Sequence, residues 1–249
     1  MTHETMAVNN VVLQTLVGST AHGTGLPGHE DTDLMGVAIE PREYVIGLQK
    51  FENYIYRTAG EGQKSGPNDT DLTIYSLRKW ARLACAGNPS VLIMLFSPDR
   101  QIEVEPYATT IRESAPYYVS KECGKRFLGY MESQRAKFMG EKHNRVQRPE
   151  LVAEHGYDTK FAMHMLRLGY QGVEFLDTGR ISLPMVDAER DLLLSVRHGE
   201  ISAEDVLAHS YEIEEELVKA IARDDVPEHG DRAAVDAMLI NLYQMYWDS

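Results

Sequence analysis

At Ser76 the sequence changes its period, and that change constrains the fold more than any other feature. Before it, short β-branched or alternating stretches read as strands: 11–17, closed by Gly18-Ser19; 34–39, closed by Pro41; 54–57; and 71–75. The segment 59–70, rich in Gly, Ser, Pro and Asn, reads as a loop. After it, Leu77, Trp80, Ala81, Leu83 and Ala84 recur at helical spacing. Gly87-Asn88-Pro89 interrupts them, and 91–96 resumes as a short helix with Asn88 as a cap. Helices are then predicted over 107–118, 120–139, 155–175, 187–197, 202–223 and 230–246. The pattern predicts an α+β fold in which a small mixed-sheet domain, 1–115, is followed by a helical domain, 116–249.

Composition narrows the setting. With 43% hydrophobic residues in 249, the chain can bury a real core, yet no apolar run reaches the ~18 to 20 residues of a membrane span. Residues 1–10 are polar and lack the sections of a secretory signal, and two cysteines, Cys85 and Cys123, cannot staple a chain of this size. A reduced, cytoplasmic location is the expectation. The net charge of −13 is unevenly spread. Residues 1–120 carry 9 Lys and Arg against 14 Asp and Glu, 121–186 carry 11 against 8, and 187–249 carry 5 against 16. A basic middle could hold a phosphate-bearing substrate between acidic parts, although solvated helix faces explain the same counts.

The densest motif is Gly18-Ser19-Thr20-Ala21-His22-Gly23-Thr24 followed by Asp31-Thr32-Asp33. Residues two apart on a strand share a face, so Asp31 and Asp33 set two carboxylates side by side, a costly arrangement unless a cation lies between them. Hard oxygen donors of this kind suit Mg²⁺ or Mn²⁺ with substrate phosphates completing the shell. Gly18 lets a bulky anion approach the backbone, where N–H groups and the Ser19 hydroxyl can donate to it. The two halves fit a nucleoside triphosphate with its metals.

In this context the motif resembles the signature of the DNA polymerase beta nucleotidyltransferase superfamily, in which Gly-Ser precedes an Asp-x-Asp pair and a third carboxylate comes from a later strand. The resemblance implies a polymerase beta palm-like sheet, with Asp71 in the third place. Asp71 opens the alternating run Asp71-Leu72-Thr73-Ile74-Tyr75; Asp69, in the Gly/Pro/Asn loop, is its competitor. Asp71-Leu72-Thr73-Ile74-Tyr75-Ser76-Leu77-Arg78-Lys79-Trp80 with Gly87-Asn88-Pro89-Ser90, then Gly156-Tyr157-Asp158-Thr159-Lys160, His164, Arg167-Leu168 and Thr178-Gly179-Arg180 before Pro184, are similar to the nucleotidyltransferases of bacteria and phages named for an RNA repair pathway. The likeness spans about residues 11 to 186 and leaves the final helices unmatched.

Lys160, His164 and Arg167 follow the i, i+4, i+7 rule on one helical face. On spacing alone this is a solvated stripe with a structural histidine; the resemblance makes it a nucleotide-binding face, with Lys160 and Arg167 against triphosphate or acceptor charge and His164 bonded to a phosphate or hydroxyl. Lys64 is a loop lysine that could close over phosphates, and Arg180 is a phosphate candidate by resemblance alone. His22 and His29 flank the carboxylates, but their spacing does not match a tetrahedral zinc cluster. Arg78, Lys79 and Arg82 read as the wet face of a helix.

The expected activity is metal-dependent transfer of a nucleotidyl group from a nucleoside triphosphate to a hydroxyl acceptor, an RNA or tRNA end. One cation on Asp31, Asp33 and Asp71 would activate the acceptor, and a second on Asp31 and Asp33 would hold the triphosphate. A small-molecule or protein acceptor is the alternative within enzymes, and a nucleotide-sensing module without turnover is the alternative outside them. Oligomeric state stays open: Met238, Leu239, Leu242, Met245 and Tyr246 could pack internally or against a second copy.

Overall fold

A five-stranded mixed sheet organises the first half of the chain in the computed structural model, which describes residues 2–26, 28, 31–59, 66–141 and 148–249. Its strands are β1 (Val11–Leu16), β2 (Thr32–Ala38), β3 (Asn53–Arg57), β4 (Thr70–Ser76) and β5 (Arg100–Glu103). They lie in the order β3-β4-β2-β1-β5, with β2 and β4 parallel and every other neighbouring pair antiparallel. The helices among and after them are α1 (His3–Asn10), α2 (Gly18–His22), α3 (Arg42–Val45), α4 (Leu77–Cys85), α5 (Pro89–Leu92) and α6 (Tyr107–Glu113). Next come α7 (Lys121–Phe138), α8 (Pro149–His155), α9 (Thr159–Thr178), α10 (Asp187–Arg197), α11 (Ala203–Ala222) and α12 (Arg232–Asp248). No described helix is long and apolar enough to cross a membrane.

The chain divides into two compact units, Met1–Tyr118 with Asp231–Ser249, and Val119–Gly230. A single cut between 115 and 116 therefore misplaces α12, which returns to the unit that holds the sheet. The physical reason is a buried acid. Glu40, 1% exposed just beyond β2, accepts from the Tyr243 hydroxyl at 2.7 Å and from the Leu77 backbone N–H at 3.1 Å, while the Trp247 indole donates to its carbonyl at 2.9 Å. Tyr246 donates to Asn10 Oδ1 at 2.8 Å, and Met238, Leu242 and Tyr243 are buried. Those three apolar positions are thus spent within this unit, whereas the acid that anchors α12 carries no periodic signal.

Alternation makes β4 two-faced. Leu72 and Ile74 pack with Met6, Ala7, Ala38, Tyr44 and Phe51, leaving Asp71, Thr73 and Tyr75 for the other side. At the end of β4 the Ser76 hydroxyl accepts from the Lys79 N–H and so starts α4, which buries Leu77, Trp80, Ala81 and Ala84 and leaves Arg78 and Arg82 exposed. Asn88 caps α5 as its sequence predicts, accepting from Ser90 N at 3.0 Å with Pro89 in the first turn.

The second unit is built on α9, which buries twelve of its residues and lies between α7, α10 and α11. Helices approach most closely at Gly169, where a Cβ would come within 2.2 Å of Ile213 on α11; the missing side chain is what admits the contact. Arg135 of α7, 8% exposed, is satisfied inside the bundle by Glu214, the Ser210 hydroxyl at 3.1 Å and the Ser210 carbonyl at 3.0 Å.

Candidate active site

The turn from β1 into α2 is set by Gly18. Its φ of +70° belongs to the left-handed region, and a Cβ there would fall 2.0 Å from Asp33 Oδ2. The Asp33 carboxylate thus lies against the α-carbon of Gly18, and the Asp33 carbonyl accepts from Val17 N at 2.8 Å. Ser19 follows in the first turn of α2, half-buried, and the helix ends at Gly23 with its N–H on the carbonyls of Ser19 and Thr20. The sequence reading gives the open space at Gly18 to a phosphate; in the structure the Asp33 carboxylate lies there.

Parallel pairing of β2 with β4 supplies the next element. Asp33 stands in register with Asp71, so two carboxylates from separate strands occupy neighbouring positions of the sheet. Asp31 precedes β2 by one residue and is half-buried. On the opposite side of β4, Arg57 of β3 is in register with Asp71, and its Nε lies 3.8 Å from Asp71 Oδ2. This cation was missed by motif reading, because nothing in Tyr54 to Arg57 shows which residue of a partner strand it faces; only the register does. Asp69 has a different task. It accepts from the Thr58 hydroxyl and the Gly66 N–H, each at 2.7 Å, and these donors, Gly66 first, draw its pKa below the ordinary carboxylate range. Asp69 closes its loop, and Asp71 lies beside Asp33.

Asp31, Asp33 and Asp71 carry hard oxygen donors of the kind that would suit Mg²⁺ or Mn²⁺, and the Asp33 carboxylate already fills the space a Cβ at Gly18 would take. Among the described residues, no three His, Cys, Asp or Glu side chains are gathered closely enough to hold an ion as they stand. Asp71 instead faces Arg57, and Asp33 faces Gly18. Binding a cation requires side-chain rotation, with Arg57 giving up part of its hold on Asp71. His22 is buried at 2% exposure, while His29 and Lys64 lie outside the described residues.

Lys160, His164 and Arg167 belong to α9, in the second unit, and all three are half-buried. The helix begins there because the Asp158 side chain caps it, accepting from the N–H groups of Lys160 and Phe161 at 3.1 Å each. Burial, reinforced by Arg167, Lys160, Arg197 and Arg148, holds the His164 imidazole well below its ordinary pKa, so it is neutral at pH 7. Burial also brings the Arg167 guanidinium down to about 10, where it remains charged. Arg180 is exposed beyond the Gly179 cap of α9.

Comparison with known proteins adds a family. The model described as the RNA repair pathway DNA polymerase beta family matches residues 2–241. Over 131 residues the chain is 27% identical to the uncharacterized 38.9 kDa protein in the nrdC-mobD intergenic region of Enterobacteria phage T4, a match covering 51% of this chain and 38% of that protein. The chain thus spans well under half the length of that curated relative. Among solved structures it is similar to a nucleotidyltransferase-like protein from Exiguobacterium sibiricum 255-15, with a TM-score of 0.32, 11% identity, and 88% of this chain and 71% of that chain covered.

Proposed function

Because this chain belongs to the RNA repair pathway DNA polymerase beta family, we propose that it transfers a nucleotidyl group from a nucleoside triphosphate to a hydroxyl at an RNA or tRNA end. The observation that carries the reading is the register of Asp33 with Asp71, with the Asp33 carboxylate against Gly18. A bond forms between the acceptor oxygen and the α-phosphorus, the bond from that phosphorus to the bridging oxygen breaks, the hydroxyl proton passes to solvent water, and pyrophosphate leaves. Asp31, Asp33 and Asp71 are the residues that would hold Mg²⁺ or Mn²⁺, which when bound neutralises the triphosphate and lowers the pKa of the acceptor hydroxyl.

The remaining work is positioning and charge compensation by the chain itself. Gly18 admits the Asp33 carboxylate close to the backbone, and Ser19 offers a hydroxyl donor at the start of α2. Arg57, half-exposed and opposite Asp71, is free to turn its guanidinium to phosphate oxygens once the Asp71 charge is satisfied elsewhere. The net charge of +3 over residues 121–186, inside a chain of −13, supports an acceptor that carries phosphates.

Incubation of the full chain with each α-labelled triphosphate, Mg²⁺ or Mn²⁺ and total RNA tests the proposal, with the Asp31→Ala/Asp33→Ala double variant as control. Label in RNA that depends on the aspartates supports it. Aspartate-dependent pyrophosphate release without labelled RNA replaces the acceptor with a small molecule or a protein, and nucleotide binding without any pyrophosphate overturns catalysis in favour of a sensor.

A further inference from the structure

Four glycines lie inside the helices α7 and α9 of the second unit, and packing explains three of them. A Cβ at Gly124 would press on Ile221 and Leu176, one at Gly169 on Ile213, and one at Gly172 on Phe127 and Leu217. A Cβ at Gly129 would meet nothing among the described residues. Glycine weakens a helix interior relative to alanine, so Gly129 costs stability without admitting a neighbouring helix. What it opens instead is a groove of about 610 Å³, in the size range of ligand pockets. Glu122, Arg126, Gly129 and Ser133 recur at three- and four-residue spacing along one face of α7 and line the groove, with Lys125 and Tyr130 beside them. Glu228 and His229, in the segment that follows α11, line it from the other side. That segment is fixed to the start of α7 by the Lys121 N–H on the Pro227 carbonyl at 2.8 Å and the Glu122 N–H on the Glu228 carbonyl at 3.1 Å. Side chains also meet across the groove, Lys125 with Glu228 at 2.7 Å and His229 Nδ1 with Glu122 Oε2 at 3.1 Å.

We infer that this groove binds a nucleoside, with the base over Gly129 beside Tyr130 and the ribose among the charged side chains. The lining selects against a bare phosphate, because Glu122 and Glu228 balance Lys125 and Arg126. It offers donors and acceptors together, which suits an uncharged ligand bearing both hydroxyl and carbonyl or amino groups. A flat ring fits the space that a side chain at position 129 would fill, and a tyrosine is a stacking partner for any nucleobase. The pairs that cross the groove are exposed and hold weakly, so a ribose hydroxyl can take the place of either partner at little cost. The choice of a nucleoside among flat, uncharged ligands, and its source in the triphosphate or in the RNA end, rest on the nucleotidyl-transfer reading; the groove and its glycine do not.

Calorimetric titration of the full chain without divalent metal tests the site, with each nucleoside triphosphate, sodium tripolyphosphate, and one RNA oligonucleotide ending in a 3′ hydroxyl as probes. Wild type, Gly129→Leu and Tyr130→Leu are compared, with thermal melts alongside. Gly129→Leu should melt at or above the wild-type temperature, since its Cβ has open space and leucine is the better helix former. It should nonetheless weaken binding of the triphosphate or of the oligonucleotide about tenfold or more, and Tyr130→Leu should weaken the same probe, while tripolyphosphate binding stays as in wild type. Loss confined to triphosphates names them as the source of the nucleoside, and loss confined to the oligonucleotide names the RNA end. Equal binding of every probe by wild type and Gly129→Leu, an equal loss for tripolyphosphate, or no saturable binding of any nucleoside-bearing probe by wild type overturns the site. Pyrophosphate release with metal is followed in parallel: release by wild type with unaltered binding in Gly129→Leu overturns the groove alone, and binding lost in Gly129→Leu without release by wild type overturns the catalytic reading alone.

Discussion

The paired strands β2 and β4 and the first turn of α9 treat buried charge differently. In the sheet, Asp33 and Asp71 are brought together by strand register, and their repulsion is offset by Arg57 from the third strand. In the helical unit, the fully buried Asp158 accepts from the Arg148 guanidinium and from the backbone N–H groups of Arg148, Lys160 and Phe161. The carboxylates of the sheet are those that the proposed function gives to a divalent cation, whereas Asp158 is already paired within its own unit. Arg135 in the same unit is likewise held inside the bundle, by Ser210 and Glu214.

The sharpest way to break this comparison is at Asp33. Asp33→Asn keeps the shape of the side chain and removes its charge, so pyrophosphate release should fall about a thousandfold while the melting temperature stays the same or rises, since a like-charge contact is relieved. Release at the wild-type rate would remove the carboxylates from the chemistry. Next in size is Gly18→Ala, whose methyl group would collide with Asp33 Oδ2 in a left-handed backbone position. Both activity and stability should drop, the latter by about 1–3 kcal/mol on denaturant unfolding.

Several of these features are legible in the sequence. The spans 11–17 and 71–75 correspond to β1 and β4, and 187–197 coincides with α10, because each has an unbroken period and punctuated ends. The turn at Gly18 and the place of Asp33 on a strand are legible for the same reason, since both depend on residues near in sequence, although Asp31 falls one residue short of β2. β5 is not, since Arg100-Gln101-Ile102-Glu103 carries one apolar residue and is held at the sheet edge by β1 and by the Arg100 pair with Glu103. The polar helix α1 is likewise hidden; Thr2 caps it, and only Met6 and Ala7 are buried. Arg57 escapes because strand register, a long-range property, decides what it faces.

The return of α12 to the sheet offers a smaller effect. Tyr243→Phe deprives the buried Glu40 carboxyl of its 2.7 Å donor and should cost about 1–3 kcal/mol, read by denaturant unfolding. Burial, against the pull of its donors, raises the Glu40 pKa above its usual value of 4.5. A raised folded-state pKa means that Glu40 contributes most below the unfolded value and loses that contribution as pH climbs through the folded value. Glu40→Gln should therefore show a shallower fall in stability above pH 4.5 than wild type does. The smallest change is expected from Arg57→Gln: stability should move by less than about 1 kcal/mol, because this pair is partly exposed, while Mn²⁺ binding tightens as the competing cation is removed. Unchanged Mn²⁺ affinity by calorimetry would separate Arg57 from the acidic site.

The most direct test sets two neighbouring acids against each other. Metal-dependent pyrophosphate release from each triphosphate is measured for wild type, Asp71→Asn and Asp69→Asn, with melting curves alongside. If the carboxylate in register with Asp33 carries the reaction, Asp71→Asn falls to background with its fold intact, and Asp69→Asn retains turnover. Turnover by Asp71→Asn at the wild-type rate would contradict the account.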